Sequence, residues 1–145
     1  MAPDNLNALL ITVNQNRQTG EISKFEAELE ASYRCSHNLV VYGTLAPGRV
    51  NYNQVEHIVG TWRDDVYVEG EFVTSGWAVE FGYPMIRWKP GSSHVASYLL
   101  TSEMLPAYWP DLDRFEGSEY CRILVPVFDE HGLVTVGNVY AEPQA

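Results

Sequence analysis

Apolar and polar positions follow two different rhythms along this chain, and the rhythm changes near residue 38. Upstream, Ile22, Phe25, Leu29 and Tyr33 recur at helical spacing with acidic residues between them. That pattern predicts an amphipathic helix beginning near Gly20. Leu6, Leu9, Leu10 and Val13 suggest a shorter helix before it. The acidic side of this segment reads as a solvated face packed on a domain rather than a partner-binding helix.

From Asn38 onward the texture is β. Residues 39–42 form a short apolar strand that runs into Gly43-Thr44-Leu45-Ala46-Pro47-Gly48. Segments 57–62, 66–73, 77–81, 85–88 and 94–101 are further strand candidates, punctuated by Gly60, Gly76, Gly82 and Pro84. Segments 120–128 and 133–141 predict a hairpin across Asp129-Glu130-His131-Gly132. Many short strands around one helix imply an α+β fold with a closed or strongly curled sheet, which hides its edges and leaves a mouth for a small ligand. The division predicted is a helical extension over residues 1–37 and a domain over 38–145.

The one helix in the β-rich part breaks a local rule. An apolar stripe through Leu105, Trp109 (or Tyr108) and Leu112 lands on Glu116. Pro110 suits a first helical position, Asp111 a first turn, and Gly117 a stop. Glu116 then lies in the last turn, where the helix dipole disfavours an anion, and on the face that packs inward. Both effects raise a carboxyl pKa toward the range useful for proton transfer. The alternative is a Glu116 that fans out to solvent or pairs with an arginine.

The second candidate is Tyr42-Gly43-Thr44-Leu45. A glycine directly after a buried strand lets neighbouring backbone N–H groups turn together, making a small nest for a carboxylate or a developing oxyanion. The alternative there is a simple turn, and Pro47-Gly48 makes another just after it.

Composition narrows the choice of partners. At 145 residues the chain has the length of one domain, and its net charge of −10 argues against nucleic acid and anionic membranes. It does not exclude a small anion held on backbone amides. Cys35 and Cys121 are the only cysteines; they read as reduced thiols, with one disulfide as the alternative. No run is apolar enough to span a bilayer, and the N-terminus lacks a signal-peptide pattern, so the expectation is a cytoplasmic protein. His37, His57, His94 and His131 are scattered without ligand spacing, which predicts no metal. There is no Gly-x-Ser-x-Gly elbow and no phosphate-binding glycine motif. Trp62, Trp77, Trp88 and Trp109 read as core and cavity wall.

Taken together, Val41-Tyr42-Gly43-Thr44-Leu45-Ala46-Pro47-Gly48, Gly82-Tyr83-Pro84 and Leu112-Asp113-Arg114-Phe115-Glu116-Gly117-Ser118-Glu119-Tyr120-Cys121-Arg122 resemble the gamma-glutamylcyclotransferase-like family, including gamma-glutamylamine cyclotransferases. The resemblance spans residues 38–142. It implies a mixed β-barrel with flanking helices, and an enzyme that releases 5-oxoproline from a small γ-glutamyl compound without a cofactor. It further implies Glu116 as the general acid/base. Tyr42, Gly43, Thr44 and Leu45 would form the substrate-binding turn, with Tyr83, Tyr120 and Arg122 at the substrate site. The partner implied is a small γ-glutamyl molecule, with the protein a monomer or homodimer. Ala96-Ser97-Tyr98 departs from the family pattern, which usually has a glycine before the aromatic. Pro106 and Pro110 do so as well, suggesting a shorter or bent helix before the acid. Two other readings stay open on the same scaffold: a non-catalytic binder of small carboxylates, and an amide hydrolase in which Glu116 activates water.

Overall fold

The structure is a computed structural model, and it describes residues 5–21, 23–43, 45–49, 51–74 and 84–143. Among these residues, three helices and six strands follow in the order α1 (Leu6–Gln18), α2 (Lys24–Tyr33), β1 (Asn38–Val41), β2 (Thr61–Phe72), β3 (Ile86–Trp88), β4 (His94–Thr101), α3 (Leu105–Glu116), β5 (Cys121–Asp129) and β6 (Gly132–Ala141). Strands β2-β4-β1-β6-β5 are neighbours in that order. The circle closes where Tyr67 of β2 pairs with Phe128 of β5. Among the described strands only β1 and β6 run parallel, at Leu39↔Asn138 and Val40↔Val139, so the barrel is mixed. β3 hangs on β2 as an extra strand. Irregularities between Arg63 and Val66, and between Val127 and Phe128, give the sheet the extra twist that closure needs.

β1 is the strand on which both sides of the fold depend. All four of its residues are buried, because its two faces meet different cores. Val40 packs with Leu10, Val13, Val68, Leu124 and Val139. Leu39 and Val41 pack with Leu100, Leu105, Trp109 and Leu112, which are the apolar stripe of α3 and its seat. The strand therefore delivers its C-terminal end to the place where α3 also ends.

Both N-terminal helices are present and built into the barrel, but the first, of 13 residues, is longer than the second, of 10, rather than shorter, and the second starts at Lys24. Leu6, Leu10 and Val13 of α1 are buried in the core shared with β5 and β6. Ser23 caps α2, accepting a hydrogen bond from the Phe25 N–H at 3.1 Å. Asn14 replaces a missing strand partner: its Nδ2 donates to the Leu124 carbonyl at 2.9 Å, and its Oδ1 accepts from the Leu124 N–H at 2.8 Å. Both groups are buried, so Asn14→Leu strands a peptide donor and acceptor together. The expected cost is about 2–5 kcal/mol of unfolding free energy, read from the urea midpoint at unchanged slope.

Two expectations are corrected. Residues 57–60 are not strand; Val55 to Ile58 form a turn, closed by the Ile58 N–H donating to the Val55 carbonyl at 3.0 Å, and β2 starts at Thr61. Val55 and Ile58 are both buried three positions apart, which is turn spacing rather than strand alternation. Pro110 does not begin its helix either: α3 starts five residues earlier, with Pro106 in its first turn and Pro110 inside it. Ser102 supports the true start, its Oγ accepting from the Met104 N–H at 3.0 Å. Pro106 and Pro110 are both exposed, so the carbonyl that Pro110 leaves unbonded can take water. The candidate strand 77–81 lies outside the described residues.

Candidate active site

β1 ends at Val41 and α3 ends at Glu116, and the two ends open on one cavity of about 550 Å³. Tyr42, Gly43 and Leu45 line one side, and Glu116, Gly117 and Tyr120 line another. Pro84, Phe115, Asn51 and Tyr140 complete much of the wall. The two segments singled out in the sequence are thus brought together. The parallel pairing of β1 with β6 is what places Tyr140 beside them.

Glu116 occupies the last helical residue, and Gly117 stops the helix with φ of 79°, a conformation that L side chains rarely adopt. The Glu116 carboxyl forms no hydrogen bond or ion pair with any described residue. Burial alone pushes its pKa from 4.5 up to about 7. A carboxyl so placed can both accept and return a proton near neutral pH.

The tyrosines around it are structural ties. The Tyr42 hydroxyl donates to the Tyr140 carbonyl at 2.7 Å and accepts from the Ile86 N–H at 3.1 Å, linking β1, β6 and β3. Burial holds its phenol well above the ordinary range, and the nearby charge of Glu116 adds to this. The Tyr120 hydroxyl donates to the Pro84 carbonyl at 2.8 Å, pinning the opposite wall. Gly43 is needed for space: a Cβ there would lie 2.9 Å from Cγ of Pro84. Its φ is not in the left-handed region, so the backbone freedom expected of it is not what the position uses.

Arg122 is not brought to this cavity. Its Nε donates to Asp113 at 2.9 Å and its Nη1 to Asn138 at 3.2 Å, on a neighbouring hollow of about 520 Å³ beneath α1 and α2. Thr44 and Tyr83 lie outside the described residues. Reading the sequence missed Tyr140, Asn51 and Asp113. Asp113 carried a signal, since an acid in the last turn of a helix opposes the dipole.

Among the described residues, no group of three or more His, Cys, Asp or Glu side chains converges as metal ligands would. Cys35 is buried, which pushes its thiol up to about 12, and neither Cys35 nor Cys121 is in a disulfide. No described helix is long and apolar enough to cross a membrane. No lysine or arginine is among the described residues that line the Glu116 cavity.

Comparison with known proteins agrees with this architecture. Several solved structures share the fold. Over 73% of this chain, YkqA from Bacillus subtilis matches with a TM-score of 0.55 and 18% identity, although the match spans only 35% of that longer protein. The uropathogenic E. coli-specific protein c4763 matches over 72% of this chain and 78% of its own, at 17% identity and a TM-score of 0.53. An Arabidopsis thaliana protein solved in solution matches over 73% and 68%, at 21% identity and 0.51. No curated protein matches in sequence. The family model described as "Gamma-glutamyl cyclotransferase, AIG2-like" matches residues 39–144, from β1 to beyond β6. The chain therefore belongs to the AIG2-like gamma-glutamyl cyclotransferase family.

Proposed function

We propose that this protein is a cyclotransferase that converts a small γ-glutamyl compound into 5-oxoproline and a free amine or amino acid, with Glu116 as its general acid/base. One observation carries the reading: a half-buried carboxyl, with no hydrogen-bond or ion-pair partner among the described residues and a pKa raised to about 7, shares a cavity with the turn that follows β1.

The chemistry asks little more of the protein. The substrate's α-ammonium gives a proton to Glu116, and the freed amine attacks the γ-carbonyl of the same molecule. A C–N bond forms, closing a five-membered lactam, and the original amide C–N bond breaks. Glu116 returns that proton to the leaving nitrogen, and then takes the second proton that the attacking nitrogen sheds on becoming the lactam N–H, passing it to the departed amine or to water. Because nucleophile and electrophile share one molecule, holding the substrate folded is worth about 7–11 kcal/mol of the barrier. With no cationic side chain on the described lining, the substrate carboxylate and developing oxyanion fall to backbone N–H groups of the Tyr42–Leu45 turn.

The direct test is product analysis with a panel of γ-glutamyl amines and peptides. The expected product is the lactam. Free glutamate instead identifies a hydrolase, and no turnover of any panel member favours a carboxylate-binding protein. Glu116 must be ionised to accept the first proton. kcat/KM is accordingly expected to rise with pH through an acid limb near about 7 and then level, rather than level near 4.5.

A further inference from the structure

We propose that Asp113, Arg122 and Tyr140 form a positioning cluster that sets where the Glu116 carboxyl sits in its cavity, and that Arg122 acts through this cluster instead of touching substrate. The proposal rests on the assignment of Glu116 as the proton carrier. It starts from an absence of direct support, for no described side chain holds the Glu116 carboxyl. Its location is then decided by the last turn of α3.

That turn is gripped at several points. Asp113 stands three residues before Glu116, and its carboxylate accepts the Tyr140 hydroxyl at 2.6 Å and the Arg122 Nε at 2.9 Å. The main-chain carbonyl of Asp113 accepts the Gly117 N–H at 3.1 Å, immediately beyond Glu116. Arg122 reaches α3 a second time, its guanidinium carbon lying 4.5 Å from the centre of the Trp109 ring. Trp109 is itself fixed by its Nε1 donating to the Ser36 carbonyl at 2.9 Å. Tyr140 is buried and lines the Glu116 cavity, so the cluster reaches into the site without occupying it.

The cluster is braced from outside the segment that matches the family. Asn138 Oδ1 accepts both the Arg122 Nη1 and, at 2.8 Å, the Nη1 of Arg17 on α1. Arg17 is in turn clamped by Glu26 of α2 through bonds of 3.0 and 2.8 Å. These helices thus bear on the end of α3 through Arg17, Asn138 and Arg122.

Stability does not account for the arrangement. Asp113 is an anion at a helix C-terminus, and its side chain is 46% exposed where it meets Arg122 at 25%. A pair that open to solvent adds little to folding. What the planar fork of Arg122 does supply is direction, because it meets both carboxylate oxygens of Asp113.

The test compares Arg122→Ala, Arg122→Lys and Tyr140→Phe with the parent. Two measurements are needed: the titration of the Glu116 carboxyl by ¹³C NMR, assigned with Glu116→Gln, and the kinetics of 5-oxoproline release. Tyr42, Tyr120, Tyr140 and Glu119 face the same cavity, so their signals are followed as well. In Arg122→Ala the turn loosens and water reaches Glu116. Its midpoint is expected to fall by about one pH unit or more toward 4.5, kcat by about tenfold or more, and KM to stay within about twofold. Arg122→Lys is expected to lie between, since it keeps the charge and loses the fork. Tyr140→Phe removes only one of Asp113's bonds and is expected to shift the midpoint in the same direction by less. An unchanged Glu116 midpoint in both Arg122→Ala and Tyr140→Phe overturns the proposal. So does a raised KM with kcat kept in Arg122→Ala, the signature of a substrate contact. If the parent releases no lactam the cyclotransferase reading falls, while the NMR midpoints still decide whether the cluster positions Glu116.

Discussion

Glu116→Gln is expected to lower 5-oxoproline release by at least about 10²–10⁴-fold and, at the same time, to make the protein harder to melt in alkaline buffer. The first effect follows from the chemistry: an amide of the same size neither accepts the ammonium proton nor returns one to the leaving nitrogen. The second follows from burial. The Glu116 pKa is raised in the folded state, from 4.5 to about 7, so folding opposes its ionisation. Below pH 4.5 the carboxyl is neutral in both folded and unfolded chains and nothing is lost. As pH rises from 4.5 to about 7, the unfolded chain gives up its proton first and stability declines. Above 7 the loss is complete, on the order of 3 kcal/mol at most before residual solvent reduces it. The neutral glutamine escapes this penalty. Melting curves at pH 8 should therefore place Glu116→Gln several degrees above the parent, at roughly 3 °C per kcal/mol for a chain of this size. At pH 4 the two curves should coincide. Turnover that survives the substitution removes Glu116 from the mechanism, and a melting difference that ignores pH removes its raised pKa.

The two halves of this expectation were unequally legible in the sequence. The last-turn position of Glu116 could be read because apolar spacing, Gly117 and the following strand all agree on where α3 ends. Its start differs from the one the sequence predicts because Pro110 looks like a helix opener, and only the Ser102 hydroxyl bonded to the Met104 N–H and the burial of Leu105 reveal the earlier start. β4, β5 and β6 kept their predicted bounds to within a residue or so, since their apolar runs end at turns with their own chemistry. What could not be read was long-range pairing. Nothing local announces that β1 runs parallel to β6, yet that contact puts Tyr140 against the cavity and Asn138 beside Arg122. The place of Arg122 was lost for the same reason: Tyr120 lies just before β5, and only the pairing of Arg122 with Tyr140 across β5 and β6 brings its side chain to Asp113 and Asn138.

Gly43→Ala is expected to cost about 10²-fold in kcat/KM, more through KM than through kcat. The added methyl would lie 2.9 Å from Pro84 Cγ, too close to stand unless one of the two walls yields. Pro84 is poorly able to yield, because its carbonyl is held by Tyr120 and the Ile86 N–H two residues on is held by Tyr42. Tyr42 in turn is tied to β6 through the Tyr140 carbonyl. The turn after β1 must move instead. It is anchored at its far end by the buried Leu45 and Ala46 and closed by the Ala46 N–H donating to the Gly43 carbonyl at 3.1 Å. A shift there carries the main-chain groups of Gly43 and Leu45 relative to Glu116, and a displacement of about 1 Å is enough for the loss named. Overpacking at this one contact also predicts a stability loss of about 1–3 kcal/mol, which unfolding curves separate from the kinetic effect. Because Gly43 carries no side chain, any change in substrate affinity reports on backbone and space alone. If Gly43→Ala binds and turns over substrate as the parent does, the substrate is not held by this turn, and the acid at the end of α3 must be working with some other wall of the cavity.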